Sequence, residues 1–400
     1  MENREQFSIT PNSIRCHIAL FGSVNTGKSS LINKIANQEV SIVSDVEGTT
    51  TDAVKKSMEI LPLGPVVLID TAGLDDETLL GQKRLEKTKK VLESSDIALL
   101  VLDINKIDKK NEKNEELIEA FKERKIPYLI IYNKSDLYKK EFPILKENEI
   151  IVSAKTGFNI EELKEKIANL KNKKQEKFII KDKLNSKDIV VLCVPIDSSA
   201  PKGRLIMPQQ LVIREILDKN AICIISQDTE LKETLNSLKT PPKMVITDSQ
   251  VFNKIKDIVP KSVILTSFSI LFANFKGNLE VFLEGAQKID FLKDKDTILI
   301  SEACTHHRQC EDIGTVKLPK WLLSHSKKEL NFEFTSGQDF PQDLGKYSLI
   351  IHCGGCMINE AQMKARIEKA QKQGVKITNY GFAIAHINNI LNRSLEVFKL

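Results

Sequence analysis

Apolar positions along the chain fall into short runs separated by longer amphipathic stretches. Ile14–Phe21 is a largely apolar run that breaks at a Gly-rich turn, and Leu31–Asn37 then carries a helical pattern. Val66–Ile69, Ile97–Leu102 and Tyr128–Ile131 are further short runs with β-branched content, separated by helical patterns such as Glu115–Arg124. Ile150–Val152 and a helix over Glu161–Leu170 close the series. Strands alternating with helices predict βαβ units and a mostly parallel sheet, and runs apolar throughout predict strands covered on both faces.

The rhythm breaks at Lys171–Lys183, where six of thirteen residues are Lys. This stretch reads as a linker rather than a nucleic-acid patch. Ile189–Val194, Ala221–Ser226, Met244–Thr247 and Val263–Thr266 then predict four more strands, with a helix over Gln209–Lys219. Nothing in this middle part groups catalytic side chains, which suits packing, dimerisation or communication. Thr297–Ser301, Ser348–Ile351 and Val375–Thr378 predict a last set of strands, with a helix over Asn359–Gln373 stopped by Gly374. The expected fold is α/β: a P-loop NTPase domain at 1–172, then two small α/β domains with mainly parallel sheets, at 173–268 and 269–400.

Composition adds boundaries rather than identity. A chain of 400 residues accommodates two to four domains, and 41% hydrophobic with 28% charged residues excludes global disorder and fibrous repeats. No apolar run approaches the ~20 residues of a membrane helix. The polar stretch Met1–Ser13 has no apolar core, so a secretory signal is not expected and a cytoplasmic location without membrane partners is. The formal net charge of +5 is too small to argue for nucleic acid.

Gly22-Ser-Val-Asn-Thr-Gly27-Lys28-Ser29 fits the pattern G-x-x-x-x-G-K-[ST] between a strand and a helix. In that context backbone N–H groups, including those near Asn25 and Thr26, curl into a phosphate nest at a helix N-terminus. Lys28 then reaches the β- and γ-phosphates, the Ser29 hydroxyl coordinates Mg²⁺, and Ser30 follows in the same turn. Asn133-Lys134-Ser135-Asp136 ends a later strand. A carboxylate at Asp136 accepts from guanine N1 and the 2-amino group and finds no donors on adenine, which selects GTP over ATP. Ser153-Ala154-Lys155 can close over the base. Asp70-Thr71-Ala72-Gly73 would hold Mg²⁺ through water and sense the γ-phosphate through the Gly73 N–H. Gly48-Thr49-Thr50-Thr51-Asp52 suits a switch loop, with Thr50 completing the Mg²⁺ shell. Lys28, Thr50, Asp70 and Gly73 are the expected catalytic set.

These motifs, in this order, resemble the translation-factor-related GTPases, above all the Era and TrmE-like group, over about residues 14–170. Two details follow from that resemblance. Leu74 stands where Ras-like enzymes carry the water-orienting Gln, which implies slow hydrolysis or another element. Asn25 resembles the P-loop asparagine that helps hold K⁺ in TrmE-like proteins.

Seven cysteines in a chain expected to be cytoplasmic argue against a disulfide framework. Cys16, Cys193 and Cys223 lie in strand-like runs and read as small buried hydrophobes. Cys304-Thr-His306 and His352-Cys353-Gly-Gly-Cys356 each follow an expected strand, so two strand ends can bring thiols to one point. On the residues alone an iron–sulfur cluster, structural zinc, a redox pair at Cys353/Cys356 and plain buried thiols all remain open. Cys310, His306, His352, Glu302 or solvent are alternatives for a fourth ligand. His17, His307, His325 and His386 read as structural or exposed.

The whole arrangement resembles the HydF-type maturation GTPases of FeFe-hydrogenases, with 45 residues between His306 and His352. That resemblance implies a 4Fe–4S cluster on Cys304, Cys353 and Cys356, a middle dimerisation domain and a homodimer. It also implies a scaffold and carrier role: a transient diiron subcluster is received from two radical-SAM maturases and passed to apo FeFe-hydrogenase, with GTP/GDP as a switch. The competing expectation is an Era/TrmE-like RNA-associated GTPase with a structural zinc site. It calls for a KH-type G-x-x-G module, and no convincing one is present. A zinc or nickel metallochaperone would want a His-rich tract, and six scattered His do not form one.

Overall fold

A computed structural model describes residues 10–36, 42–46, 54–71, 81–107, 111–172, 177–196, 205–303, 312–337 and 339–399, with backbone alone at 42–46, 81–86 and 172. The chain divides into two units, Met1–Glu176 and Lys177–Leu400.

The first unit is built on a seven-stranded sheet. Its strands are β1 (Cys16–Phe21), β2 (Ile42–Val46), β3 (Val54–Ile60), β4 (Gly64–Asp70), β5 (Ile97–Asp103), β6 (Tyr128–Asn133) and β7 (Glu149–Ile151), in the spatial order β2-β3-β4-β1-β5-β6-β7. Pairings from β4 through β7 are parallel, while β2–β3 and β3–β4 are antiparallel. Helices α1 (Lys28–Ala36), α2 (Gly81–Glu93), α3 (Glu112–Glu123) and α4 (Ile160–Asn172) connect them. Central β1 is apolar on both faces. Ile18 and Leu20 join one core with Leu31 and Ile35 of α1, whereas Ala19 and Phe21 join the other with Phe121 of α3. The parallel centre follows the sequence expectation. The antiparallel edge does not, because Val-Lys-Lys-Ser-Met-Glu-Ile mixes polar with apolar side chains and lacks the continuous run by which the other strands announce themselves.

The second unit holds two four-stranded sheets. The first contains β8 (Ile189–Cys193), β9 (Ile222–Ser226), β10 (Met244–Thr247) and β11 (Ile264–Ser267), ordered β11-β10-β8-β9 and parallel throughout. Helices α5 (Met207–Asp218), α6 (Leu231–Ser237), α7 (Phe252–Ile255) and α8 (Phe268–Lys276) belong with it. The second sheet contains β12 (Thr297–Ser301), β13 (Asn331–Thr335), β14 (Leu349–His352) and β15 (Ile377–Asn379), ordered β13-β12-β14-β15 and again parallel. Its helices are α9 (Leu279–Gln287), α10 (Leu318–Ser326), α11 (Glu360–Lys372), α12 (Tyr380–Ile387) and α13 (Leu391–Ser394). Val245 and Leu265 of the first sheet share one core with Leu299, Ile350 and Ile377 of the second, joined through Ile270 of α8 and Phe282 of α9. Helix α11 starts on an Asn359–Gln362 capping box and stops before Gly374, whose φ of +71° is the left-handed geometry glycine supplies at a helix end.

Candidate functional site

The P-loop is the turn from β1 into α1. Gly22 and Gly27 have φ of +141° and +92°, and a Cβ at either would strike the Val101 carbonyl or the Asn133 amide. Glycine is therefore required twice, once by backbone approach and once by side-chain approach. Asn25 is also left-handed, at +64°. Thr26 Oγ1 donates to the Ser23 carbonyl at 3.0 Å. Buried Lys28 folds over the loop, its ammonium donating to the carbonyls of Gly22 at 2.6 Å and Ser23 at 3.1 Å. Ser29 Oγ donates to Asp70 Oδ2 at 2.6 Å, so the two side chains expected around one magnesium ion already meet. Ser30 is exposed on the first turn of α1. Thr50 and Gly73 lie outside the described residues, as do Gly48, Ala72 and Leu74.

The base-side motifs lock to the same loop. Asn133 donates through Nδ2 to the Thr26 carbonyl at 2.9 Å and accepts at Oδ1 from the Ala154 N–H at 3.0 Å. It is buried, and ties the phosphate loop to the 153–155 turn. Lys134 is left-handed, with φ +68°, and its ammonium lies 2.9 Å from Asp103 Oδ2. Burial pushes the Asp103 carboxyl up, but hydrogen bonds from Lys134 and Asn105 outweigh it and hold the group below its ordinary value. Exposed Asp136 accepts from Ser153 Oγ at 2.6 Å, and that hydroxyl accepts from the Thr156 N–H at 3.1 Å. Lys155 is exposed beside them.

The second constellation forms where β12 and β14 end. The Cys353 N–H donates to the Ser301 carbonyl at 2.9 Å, carrying the ladder one residue past β14. Cys353 Sγ accepts from the backbone N–H of Ala303 at 3.1 Å and of Gly355 at 3.4 Å. Gly355, at φ +65°, turns the chain so that Cys356 follows. Beneath this turn lies Lys276, the last residue of α8 and 1% exposed. Its ammonium donates to the carbonyls of Ile358 at 2.7 Å, Gly355 at 3.1 Å and Cys356 at 3.4 Å. Burial pushes Lys276 down to about 8, against the pull of Cys356, Cys353 and Glu360. Burial also pushes the Cys356 thiol up, and the Lys276 charge opposes it. Glu302 forms another buried wall, accepting from the Tyr380 hydroxyl at 3.1 Å. Thiols at a strand end, N–H groups aimed at sulfur and a buried cation under the turn are what a thiolate-held iron–sulfur cluster uses to spread its charge, so the residues present fit that group. Cys304, His306, His307 and Cys310 fall outside the described residues.

His352 is corrected as a ligand candidate. It is fully buried; its Nδ1 lies 2.7 Å from the Cys353 carbonyl and its Nε2 2.7 Å from Arg366 Nη1. Both ring nitrogens are occupied, which leaves no lone pair for a metal in this arrangement. Two residues here escaped the sequence reading. Lys276 had a signal, as the single charged residue in the mostly apolar helix Phe-Ser-Ile-Leu-Phe-Ala-Asn-Phe-Lys. Arg366 had none, since α11 is rich in charged side chains. Of the thiols read as buried hydrophobes, Cys193 is buried, while Cys16 and Cys223 are half-buried. None of the five described cysteines is in a disulfide.

Residues 179–277 match the hydrogen maturase F dimerization domain and residues 280–397 the hydrogen maturase F tetramerization domain, together more than half of the chain. Residues 17–134 match the 50S ribosome-binding GTPase family. The chain belongs to the hydrogen maturase F family. Like the HydF-type GTPases it therefore joins a GTPase domain to two oligomerisation domains, and GTP hydrolysis is its enzymatic class. The two maturase matches adjoin between residues 277 and 280, and both descriptions point to oligomerisation. GTPase Der of Wolinella succinogenes is 36% identical over 42% of this chain and 37% of its own length. The tRNA modification GTPase MnmE of Legionella pneumophila is 37% identical over 38% of this chain and 33% of its own. The chain thus spans only about a third of these curated relatives, within their GTPase parts. The G domain of the T. maritima FeoB iron transporter matches 39% of this chain and 99% of its own, at 24% identity and a TM-score of 0.30. Among the described residues no helix is long and apolar enough to cross a membrane.

Proposed function

We propose that this chain is the GTP-switched scaffold on which a hydrogenase diiron subcluster is completed and from which it is delivered. Cys304, Cys353 and Cys356 hold a resident 4Fe–4S cluster; the diiron unit is cargo, received from two radical-SAM maturases and passed to apo FeFe-hydrogenase. The observation that carries this reading is the Cys353 sulfur receiving two backbone N–H groups above the Lys276 ammonium, in a chain of this family. When bound, the cluster supplies an anchoring and electron-accepting centre. This chain's residues supply the thiolates, the hydrogen bonds to sulfur and the compensating charge. The scaffold is a dimer or a higher oligomer in the cytoplasm, with no nucleic acid or membrane required.

In the nucleotide site, the Lys28 ammonium exchanges the Gly22 and Ser23 carbonyls for the β- and γ-phosphate oxygens. Ser29, Thr50 and Asp70 complete the Mg²⁺ shell, and the Gly73 N–H meets the γ-phosphate. Gly22, Asn25, Thr26, Gly27 and Ser30 form the phosphate cradle, with Asn25 beside a K⁺ ion. Asp136 reads guanine under the Ser153–Lys155 turn, with Asn133 and Lys134 holding that frame. Hydrolysis releases switch loops that the γ-phosphate had ordered.

Anaerobic reconstitution with iron and sulfide tests the cluster. Wild type should take up about four iron and four sulfide per chain, the content of a 4Fe–4S cluster, and give an EPR signal after dithionite reduction. Cys304→Ala, Cys353→Ala and Cys356→Ala should each abolish that signal. Stoichiometric zinc, with substitutions that only lower stability, would replace this reading with a structural zinc site.

A further inference from the structure

Outside the thiol motifs, three donors from three elements converge. Asp290 sits in the turn Lys288–Phe291 that follows α9, His325 in the last turn of α10, and His386 in the last turn of α12. His325 Nε2 lies 2.9 Å from Asp290 Oδ1, and His386 Nε2 lies 3.0 Å from Asp290 Oδ2. The ring centroids are 5.8 Å apart with planes at 62°, so both imidazoles aim the same nitrogen at one carboxylate. One ligand atom from each residue lies within 4.8 Å of the other two.

We propose that Asp290, His325 and His386 form a second metal site, for a divalent first-row transition ion of the zinc or ferrous class. The chemistry is that of a two-imidazole, one-carboxylate set. Ion–ligand bonds of about 2.0–2.1 Å at tetrahedral angles place ligand atoms roughly 3.3 Å apart. The present Nε2–carboxylate separations, 2.9 and 3.0 Å, are within a few tenths of an ångström of that, and all three ligand atoms lie within 4.8 Å of one another. Each ring now donates Nε2–H to the carboxylate; on metal binding that proton moves to Nδ1 of the same ring, the freed Nε2 pair binds the ion, and no redox change occurs. The two helices are anchored by buried side chains, Leu318 and Leu322 on α10 and Ile384 and Ala385 on α12. The Asp290 side chain is 49% exposed, which gives an ion an entry path and leaves water its remaining positions. Calcium and magnesium are poor candidates, because two of the three donors are imidazole nitrogens. This site is independent of the cluster reading: it uses none of the thiols.

The test is metal titration of the full chain, with Cys304, Cys353 and Cys356 replaced by Ser so that the thiol pocket does not compete. Apo protein is titrated anaerobically with Zn²⁺ and, separately, Fe²⁺, and with Co²⁺ as an optical probe. Expected is about one ion per chain, with Co²⁺ showing d–d bands and no sulfur-to-cobalt charge transfer. His325→Gln with His386→Gln keeps a hydrogen-bonding amide toward Asp290 and should weaken binding by at least about 100-fold, beyond the loss typical of an outer-shell change. Asp290→Asn is the second, independent variant and should act in the same direction. Thermal melts without metal check that the variants fold. Failure of both Zn²⁺ and Fe²⁺ to bind, or binding unchanged in the His double variant, would overturn the proposal and leave the trio a hydrogen-bonded staple.

Discussion

Arg366 Nη1 approaches His352 Nε2 to 2.7 Å, and this contact fixes the protonation of the imidazole beside the thiol motif. A guanidinium is always charged and only donates, so Nε2 accepts and Nδ1–H points to the Cys353 carbonyl. Burial, with Arg366 adding to it, pushes His352 down to about 3. The folded chain thus holds His352 neutral, while the unfolded chain protonates it near pH 6.5. Stability from this group is present above pH 6.5 and is lost as pH falls from there toward 3. Between pH 7.5 and 5.5 the loss should be about 1.4 kcal/mol. Urea unfolding of metal-free protein at the two pH values measures it, and His352→Asn should flatten that part of the slope. An equal slope in the variant would assign the effect to other groups.

Lys276 should matter for the same motif by a different route. Its ammonium is the shared donor to the carbonyls of Gly355, Cys356 and Ile358. Lys276→Met keeps the length and removes both charge and donors, leaving buried carbonyls under-satisfied at about 1–3 kcal/mol. Chemical denaturation should show a loss of that order. Iron retained per chain after reconstitution should fall with it, and any residual cluster should reduce at a more negative potential, because the compensating cation is gone. Undiminished iron binding at an unchanged potential would reduce Lys276 to a packing residue.

The nucleotide site was the most legible part of the chain, because its chemistry is contiguous. Gly22 to Ser29 is one turn, and Asn133 to Asp136 follows one strand, so spacing alone carries the geometry. Even there the sequence placed Asn133 in the guanine motif without its local contacts: only the fold reveals that its amide bridges Thr26 and Ala154. Central strands were legible because burial on both faces forces continuous apolar runs. Strand β3, next to the sheet edge, and edge strand β13 were not, since Val54–Ile60 and Asn331–Thr335 mix polar with apolar side chains. Least legible were contacts between distant elements. Arg366 on His352, Lys276 under Gly355, and His325 with His386 on Asp290 depend on how helices dock, which local periodicity does not encode.

Guanine selectivity should reside in Asp136. Asp136→Asn presents an amide where guanine offers its own N–H groups, and should weaken GTP by at least about tenfold, the cost of an unpaired polar contact. Xanthosine triphosphate, which carries a carbonyl at that edge, should recover binding. Competition of labelled nucleotides by filter binding or calorimetry separates the outcomes; equal loss of both nucleotides would point to collapse of the Ser153–Lys155 turn. The same assay, run as turnover in K⁺ and in Na⁺, examines Asn25. K⁺ should support faster hydrolysis, and Asn25→Ala should erase the difference.

Self-association should run through β9. It is an edge of its sheet, paired to β8 on one side. Among the described residues no strand pairs with its other side. Ile222 and Ile225 stand 48% and 50% exposed on it, and Leu217 at the end of α5 is 56% exposed. An open strand edge flanked by large apolar side chains is a template for pairing, which proteins ordinarily blunt with charge. Its presence inside the region that matches a dimerization domain argues that a second copy covers it. Ile225→Lys introduces the blunting charge on an already exposed position, so the monomer fold should survive while association weakens by at least about tenfold, one buried hot-spot contact's worth. Sedimentation velocity over a concentration series reads this directly. If the charge left the association constant unchanged, the dimer would have to form on another face, and β9 would be an edge protected by the chain itself.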